Sequence, residues 1–170
     1  MDDIEVVEYD EAWPRLFEQE KRLLTKTLAG EEILEVAHFG STAIPGLAAK
    51  PIIDILIAVP SVDIAKERFV SKLRAIDYVF WPDNPKHDRL FFVKGMPPFG
   101  DKRTHHVHVA ERPSEMWSRL LFRDYLIEHA YEREAYANLK KGLASKFKDD
   151  REAYTRAKDN FVARIMQLSS

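Results

Sequence analysis

Between Pro51 and Pro60 the chain runs Ile52-Ile53-Asp54-Ile55-Leu56-Ile57-Ala58-Val59, an apolar stretch of strand length interrupted by one carboxylate. Bounded by two prolines, such a run reads as a buried strand, and a carboxylate inside it must be paired, protonated or turned into a cleft. Strand alternation separates Ile53, Ile55, Ile57 and Val59 from Ile52, Asp54, Leu56 and Ala58. The purely apolar side is the expected core side, which turns Asp54 toward a groove.

Upstream, Ile33 to Phe39 reads as a second strand and Gly40 to Lys50 as a loop with one helical turn. A strand followed by Gly40-Ser41-Thr42 lets backbone N–H groups and two hydroxyls converge on a phosphate, with Gly40 permitting the close approach. Lys50, just before the next strand, can reach the same anion. A Gly-Ser-Thr tripeptide alone is equally a plain turn. Lys50 and Asp54 favour phosphate handling.

The rest of the chain alternates helix and strand before turning wholly helical. A β-prone start, Ile4 to Val7, precedes a helix capped by Asp10, with Trp13, Leu16, Phe17, Leu24 and Leu28 at helical spacing and an end near Gly30. Ser61 or Asp63 opens a second helix carrying Ile64, Ala65, Phe69, Leu73 and Ile76 on its apolar side. Further strands are expected at Tyr78 to Trp81, Arg89 to Val93 and Arg103 to Ala110, then helices at Ser114 to His129, Tyr131 to Phe147 and Asp150 to Leu168. The expected architecture is α+β (mixed α/β): a small mixed sheet of about five strands, the early helices on one face, the other face open as a groove, and the last helices against one end. Residues 1–170 are expected to form one domain, with 1–112 as the α/β core and 113–170 as its C-terminal helices.

Composition narrows the chemistry. With 170 residues and 45% hydrophobic content, the chain suffices for one ordinary core. The 26 basic and 28 acidic residues nearly cancel, so there is no overall field to attract nucleic acid or an anionic membrane, and an anion must be held locally. The absence of cysteine excludes disulfides, thiolate nucleophiles and cysteine-ligated metals. An acidic start without an apolar signal core, and no run approaching a membrane span, lead to an expected cytoplasmic location. The expected partner is a small phosphate-containing ligand, not nucleic acid or membrane; the oligomeric state is left open.

The segment His38-Phe39-Gly40-Ser41-Thr42-Ala43-Ile44-Pro45-Gly46-Leu47-Ala48-Ala49-Lys50-Pro51-Ile52-Ile53-Asp54-Ile55 closely resembles the signature of the GrpB family. The resemblance continues through Arg103-Thr104-His105-His106-Val107-His108-Val109, Leu121-Phe122-Arg123-Asp124-Tyr125-Leu126 and Asp150-Arg151-Glu152-Ala153-Tyr154 with Lys158, covering nearly the whole chain. It implies a fold similar to the polymerase-beta-like nucleotidyltransferases, in which a Gly-Ser loop holds a nucleoside triphosphate and paired carboxylates on the next strand hold magnesium. Gly40, Ser41 and Thr42 then correspond to the phosphate loop and Asp54 to a cation ligand. The chain departs from that pattern at one of the paired carboxylates: with Asp54 as the first, the second falls on Leu56, and with Asp54 as the second, the first falls on Ile52. Magnesium, which prefers oxygen donors, is poorly served by what remains.

On the strand expected at Arg103 to Ala110, Thr104, His106, His108 and Ala110 share one face, and His105, Val107 and Val109 the other. His106 and His108 with Asp54 make a set better suited to manganese, iron or zinc than to magnesium; they could equally bind phosphate as imidazolium or simply hydrogen-bond their neighbours. Lys94 and Arg103 are preferred as further phosphate contacts. Tyr154 and Lys158 read by geometry as an exposed helical pair, and Lys140 to Lys148 as a charged helix face near a C-terminus. The leading expectation is a nucleotidyltransferase using a nucleoside triphosphate and a divalent cation (Mg, Mn or Zn) on an unknown acceptor, with Asp54, His106 and His108 catalytic. The alternatives are a non-catalytic nucleotide or phosphometabolite binder and a His/Asp metal-dependent hydrolase.

Overall fold

The structure is a computed structural model that describes residues 5–83 and 88–169; Ile4, where the β-prone start begins, lies outside them. Its elements are α1 (Trp13–Thr27), β1 (Glu35–Phe39), a 3-10 turn (Ser41–Ala43), β2 (Ile53–Val59), α2 (Val62–Arg74), β3 (Tyr78–Phe80), β4 (Arg89–Lys94), β5 (His105–Glu111), α3 (Glu115–Glu128), α4 (Ala130–Lys146) and α5 (Arg151–Ser169). Local chemistry explains several boundaries. The Asp10 carboxylate accepts from the Ala12 N–H at 2.8 Å just ahead of α1, which carries Pro14 in its first turn. Ser61 caps α2 by accepting from the Ile64 N–H at 3.3 Å, and Ser114 caps α3.

The sheet has the order β1-β2-β5-β4-β3. Among the described strands the β2–β5 pair is parallel, and β1–β2, β5–β4 and β4–β3 are antiparallel. Helices α1 and α2 cover one face, burying Trp13, Phe17, Leu24, Phe69 and Leu73 against Ile53, Ile55, Ile57, Val107 and Val109. This is the expected core side of β2. Ile64 is an exception to the expected apolar side of α2: it is 58% exposed, because the helix buries Val62, Ala65, Phe69 and Leu73 instead.

The second face is not wholly open. Met116 and Trp117 of α3 pack on Leu56, Ala58, Ala110 and Phe39, covering the far end of that face. Ile44 and Leu47 of the loop after β1 are buried with Leu126, Tyr136 and Ile165 from the three C-terminal helices. Among the described residues α3 thus packs on strand residues of that face, while α4 and α5 pack on α3 and on the loop after β1, and the cleft lies where Asp54, His106 and His108 emerge. Among the described residues no helix is long and apolar enough to cross a membrane.

Candidate functional site

Parallel pairing of β2 with β5 sets Asp54 beside His106 and Leu56 beside His108, so the three polar side chains share the cleft face. His106 Nδ1 lies 3.3 Å, and His108 Nε2 3.8 Å, from the same Asp54 oxygen, Oδ1. Phe91 flanks both imidazoles, at ring separations of 5.0 and 4.8 Å, and Phe39 meets His108 edge-on. Arg103 approaches His106 Nε2 at 3.5 Å. A guanidinium can only donate, so this contact leaves Nε2 as acceptor and puts the ring proton on Nδ1, facing Asp54. Burial alone would raise the Asp54 carboxyl, but the imidazoles of His106 and His108 beside it outweigh burial and hold the group below the usual carboxylate range. Burial lowers His106, more than its contact with Asp54 restores.

The loop entering β2 is built around that carboxylate. Gly40 has φ +73°, and a Cβ there would stand 2.6 Å from Asp54 Oδ2, so only glycine lets the chain pass. The Thr42 hydroxyl donates to the Ile52 carbonyl at 3.3 Å and meets His38 Nε2 at 2.9 Å. His38 is held neutral, its pKa lowered by burial to about 4, and it stacks on Phe17. Thr42 is thus a buried clamp between loop and β2, with its hydroxyl committed to protein partners. Ser41 hydrogen-bonds the Tyr136 side chain, linking the loop to α4.

Above this floor lies a cavity of about 470 Å³ whose cations are Lys50, Arg103, Arg119, Lys140, Arg151 and Lys158 and whose carboxylates are Asp54 and Asp159. The volume suits a ligand of nucleotide size. Gly40, Ser41, Thr42, Lys50, Asp54, Arg103, His106 and His108, all singled out from sequence, line this one space. Lys94 does not. It shares the core face with Leu90 and Phe92, where its ammonium meets Glu20 of α1 at 2.9 Å beside the Tyr78 hydroxyl. A long cation at a strand end reaches the nearest buried carboxylate, and here that lies on the face away from the cleft. Lys94→Met should therefore cost roughly 1–3 kcal/mol of stability in urea unfolding while leaving ligand affinity unchanged. Loss of affinity without loss of stability would return Lys94 to the site.

Lys140, read from sequence as part of a charged helix face, is 2% exposed, and Tyr154, read as exposed, is fully buried. Burial, then the neighbouring cations, lower Lys50 to about 7 and Lys140 to about 6. Arg119, Tyr136 and Arg151 join the lining from helices whose inward faces no local pattern marked. Asp54, His106 and His108 each bring one donor atom to within 4.8 Å of the others. One carboxylate and two imidazoles fit manganese, iron or zinc. They do not fit magnesium, since Leu56 is completely buried where a second carboxylate would stand.

A family model described as GrpB protein matches residues 3–168. A UPF0157 protein of Pseudomonas aeruginosa is 50% identical over 166 residues, which span 97% of this chain and 67% of that protein. The UPF0157 protein YqkA of Bacillus subtilis is 42% identical over 160 residues, 94% of this chain but 45% of its own length. The crystal structure of the conserved protein GrpB from Enterococcus faecalis superposes with a TM-score of 0.86 at 34% identity, covering 97% of this chain and 96% of that one. The Cid1 poly(U) polymerase, in a crystal structure with Mg and 3'-dATP bound, superposes with a TM-score of 0.59 at 14% identity over 89% of this chain and 49% of that one. The fold is thus nucleotidyltransferase-like.

Proposed function

The chain belongs to the GrpB family, and we propose that its cleft binds a nucleotide by its polyphosphate and transfers the nucleotidyl group to an acceptor. The observation that carries this reading is the convergence of six lysine and arginine side chains on one cavity, over the loop Gly40-Ser41-Thr42, in a chain whose net charge is -2. Such a local excess of cations in one cleft favours an anion of several charges. In the transfer, an acceptor oxygen bonds to the α-phosphorus while the bond to the β-phosphate oxygen breaks. Pyrophosphate leaves, and the acceptor proton passes to water of the cleft. The basic wall would stabilise the charge that develops on the leaving group. Asp54, His106 and His108 would hold a divalent ion of the manganese or zinc type, which supplies Lewis acidity when bound.

Thermal unfolding with nucleoside triphosphates, alone and with Mg, Mn or Zn, tests this. At a ligand concentration 100 times Kd, stabilisation of about 2.7 kcal/mol is expected, or roughly 5–10 °C in a chain of this size. Mn or Zn should add to it in the native protein and not in Asp54→Ala. No shift with any nucleotide under any metal condition would remove the nucleotide from the reading. A second reading, a binder without turnover, is favoured by the burial of Leu56 at the second carboxylate position. Pyrophosphate release over a panel of hydroxylated acceptors separates the two.

A further inference from the structure

Three of the cavity's lysines keep unusual company. The Lys50 ammonium lies 5.2 Å, and that of Lys158 4.9 Å, from the centre of the Tyr154 ring, while Lys140 sits 4.7 Å from the centre of Tyr136. Among the described residues none of the three is paired with a carboxylate. The Tyr154 hydroxyl is buried without a hydrogen-bond partner among the described residues. Ring faces attract cations, but three lysine amines sharing two rings in a cavity cannot all be charged without repelling one another, and a buried hydroxyl without a partner is costly. One occupant answers all of these at once: a compact group rich in negative oxygens.

We propose that Lys50, Lys140 and Lys158, around Tyr154 and Tyr136, form a dedicated subsite for a di- or triphosphate, and that this subsite takes up protons from solvent as the anion enters. The identity of whatever carries the phosphates rests on the nucleotide reading above; the subsite itself does not. Lys50 faces Lys158, Arg151 and Arg103, with Asp54 as its counter-charge; Lys140 faces Lys158 and Lys50, again with Asp54 opposed. Tyr136 is pushed up to about 12 by burial and Tyr154 is raised by burial, so both hydroxyls stay protonated near neutrality. With Lys50 at about 7 and Lys140 at about 6, both amines are mostly neutral at pH 8 in the free protein. An anion beside them favours the ammonium form and draws a proton onto each. Proton uptake approaching two per site is therefore expected at pH 8, falling toward zero near pH 5, where both amines are already charged. Above pH 8 affinity should drop by up to ~100-fold per pH unit, the consequence of two linked protons. Protons still on the phosphate would be released, with the opposite sign.

The experiment is isothermal titration of inorganic tripolyphosphate into the metal-free protein at pH 8, in two buffers of different ionisation enthalpy, repeated at pH 5. Native protein should show uptake near two at the higher pH. Lys140→Met and Lys50→Met should each lose about one proton of uptake and bind about tenfold or more weaker, with folding checked by thermal unfolding. Tripolyphosphate that fails to bind, or binds at pH 8 with no buffer-dependent heat, would overturn the proposal, as would variants that bind like the native protein. Nucleoside triphosphates are titrated in parallel. If tripolyphosphate binds with proton uptake while nucleotides do not bind, the subsite stands and the nucleotide reading falls. If nucleotides bind without uptake, the reverse holds.

Discussion

Replacing Gly40 by alanine is expected to destabilise the protein by roughly 2–5 kcal/mol, from a backbone conformation that only glycine adopts readily together with an overpacked contact. Gly40 has φ +73° and ψ −173°, and the added methyl would stand 2.6 Å from Asp54 Oδ2 and 3.0 Å from Asp54 Cβ. Asp54 has little freedom to yield, because both imidazoles converge on its Oδ1 and the strand carrying it is paired on both sides. The loop would have to move instead, taking Ser41 away from Tyr136 and straining the Thr42 clamp on Ile52. Urea unfolding should show the loss as a lower midpoint, and stabilisation by any phosphate ligand should shrink with it. An unchanged midpoint would mean that the loop does not press on Asp54.

Lys140→Met is expected to act in the opposite direction on stability, raising it by roughly 1–4 kcal/mol at neutral pH, because a fully buried amine without a carboxylate partner is replaced by an apolar side chain of similar length. The folded-state pKa of Lys140 is about 6, against 10.5 for an ordinary lysine, with burial as the largest cause. Between those values the unfolded chain binds more protons than the folded one, so stability attributable to this residue rises with pH. The cost is complete below about pH 6 and gone above 10.5. The gap between variant and native unfolding midpoints should therefore be wide at pH 6–7 and close toward pH 10. A constant gap, or a destabilised variant, would show that the native amine is solvated or paired. A protein made more stable and less able to hold phosphate is the trade expected where a binding site retains uncompensated charge.

Much of the cleft floor was legible in the sequence, and for one reason. A strand has a period of two and one of its faces must be apolar, so Ile53, Ile55, Ile57 and Val59 in the core oblige Asp54 to face away, and the same alternation puts His106 and His108 together. The alternation also grouped Lys94 with Leu90 and Phe92, and its placement beside Glu20 follows that grouping rather than the attraction of a positive charge to an expected phosphate. The loop from Gly40 was legible from residue type, since a glycine and two hydroxyls between strands restrict what the backbone can do there.

The cavity walls were not legible in the same way. Lys140, Arg151 and Lys158 lie on helices that carry charge around much of their circumference, and which face is inward depends on what packs against it. Leu56 and Ala58, which share a face with Asp54, are covered by Met116 and Trp117 from a helix more than fifty residues further along the chain. Sequence alone determined which residues share each strand face, because side-chain direction in a strand is set by the residue's own backbone. Only the tertiary structure decided that six cations from loop, strand end and helices would line one cleft with Asp54, because their meeting depends on how the last three helices pack on one another and on the loop after β1.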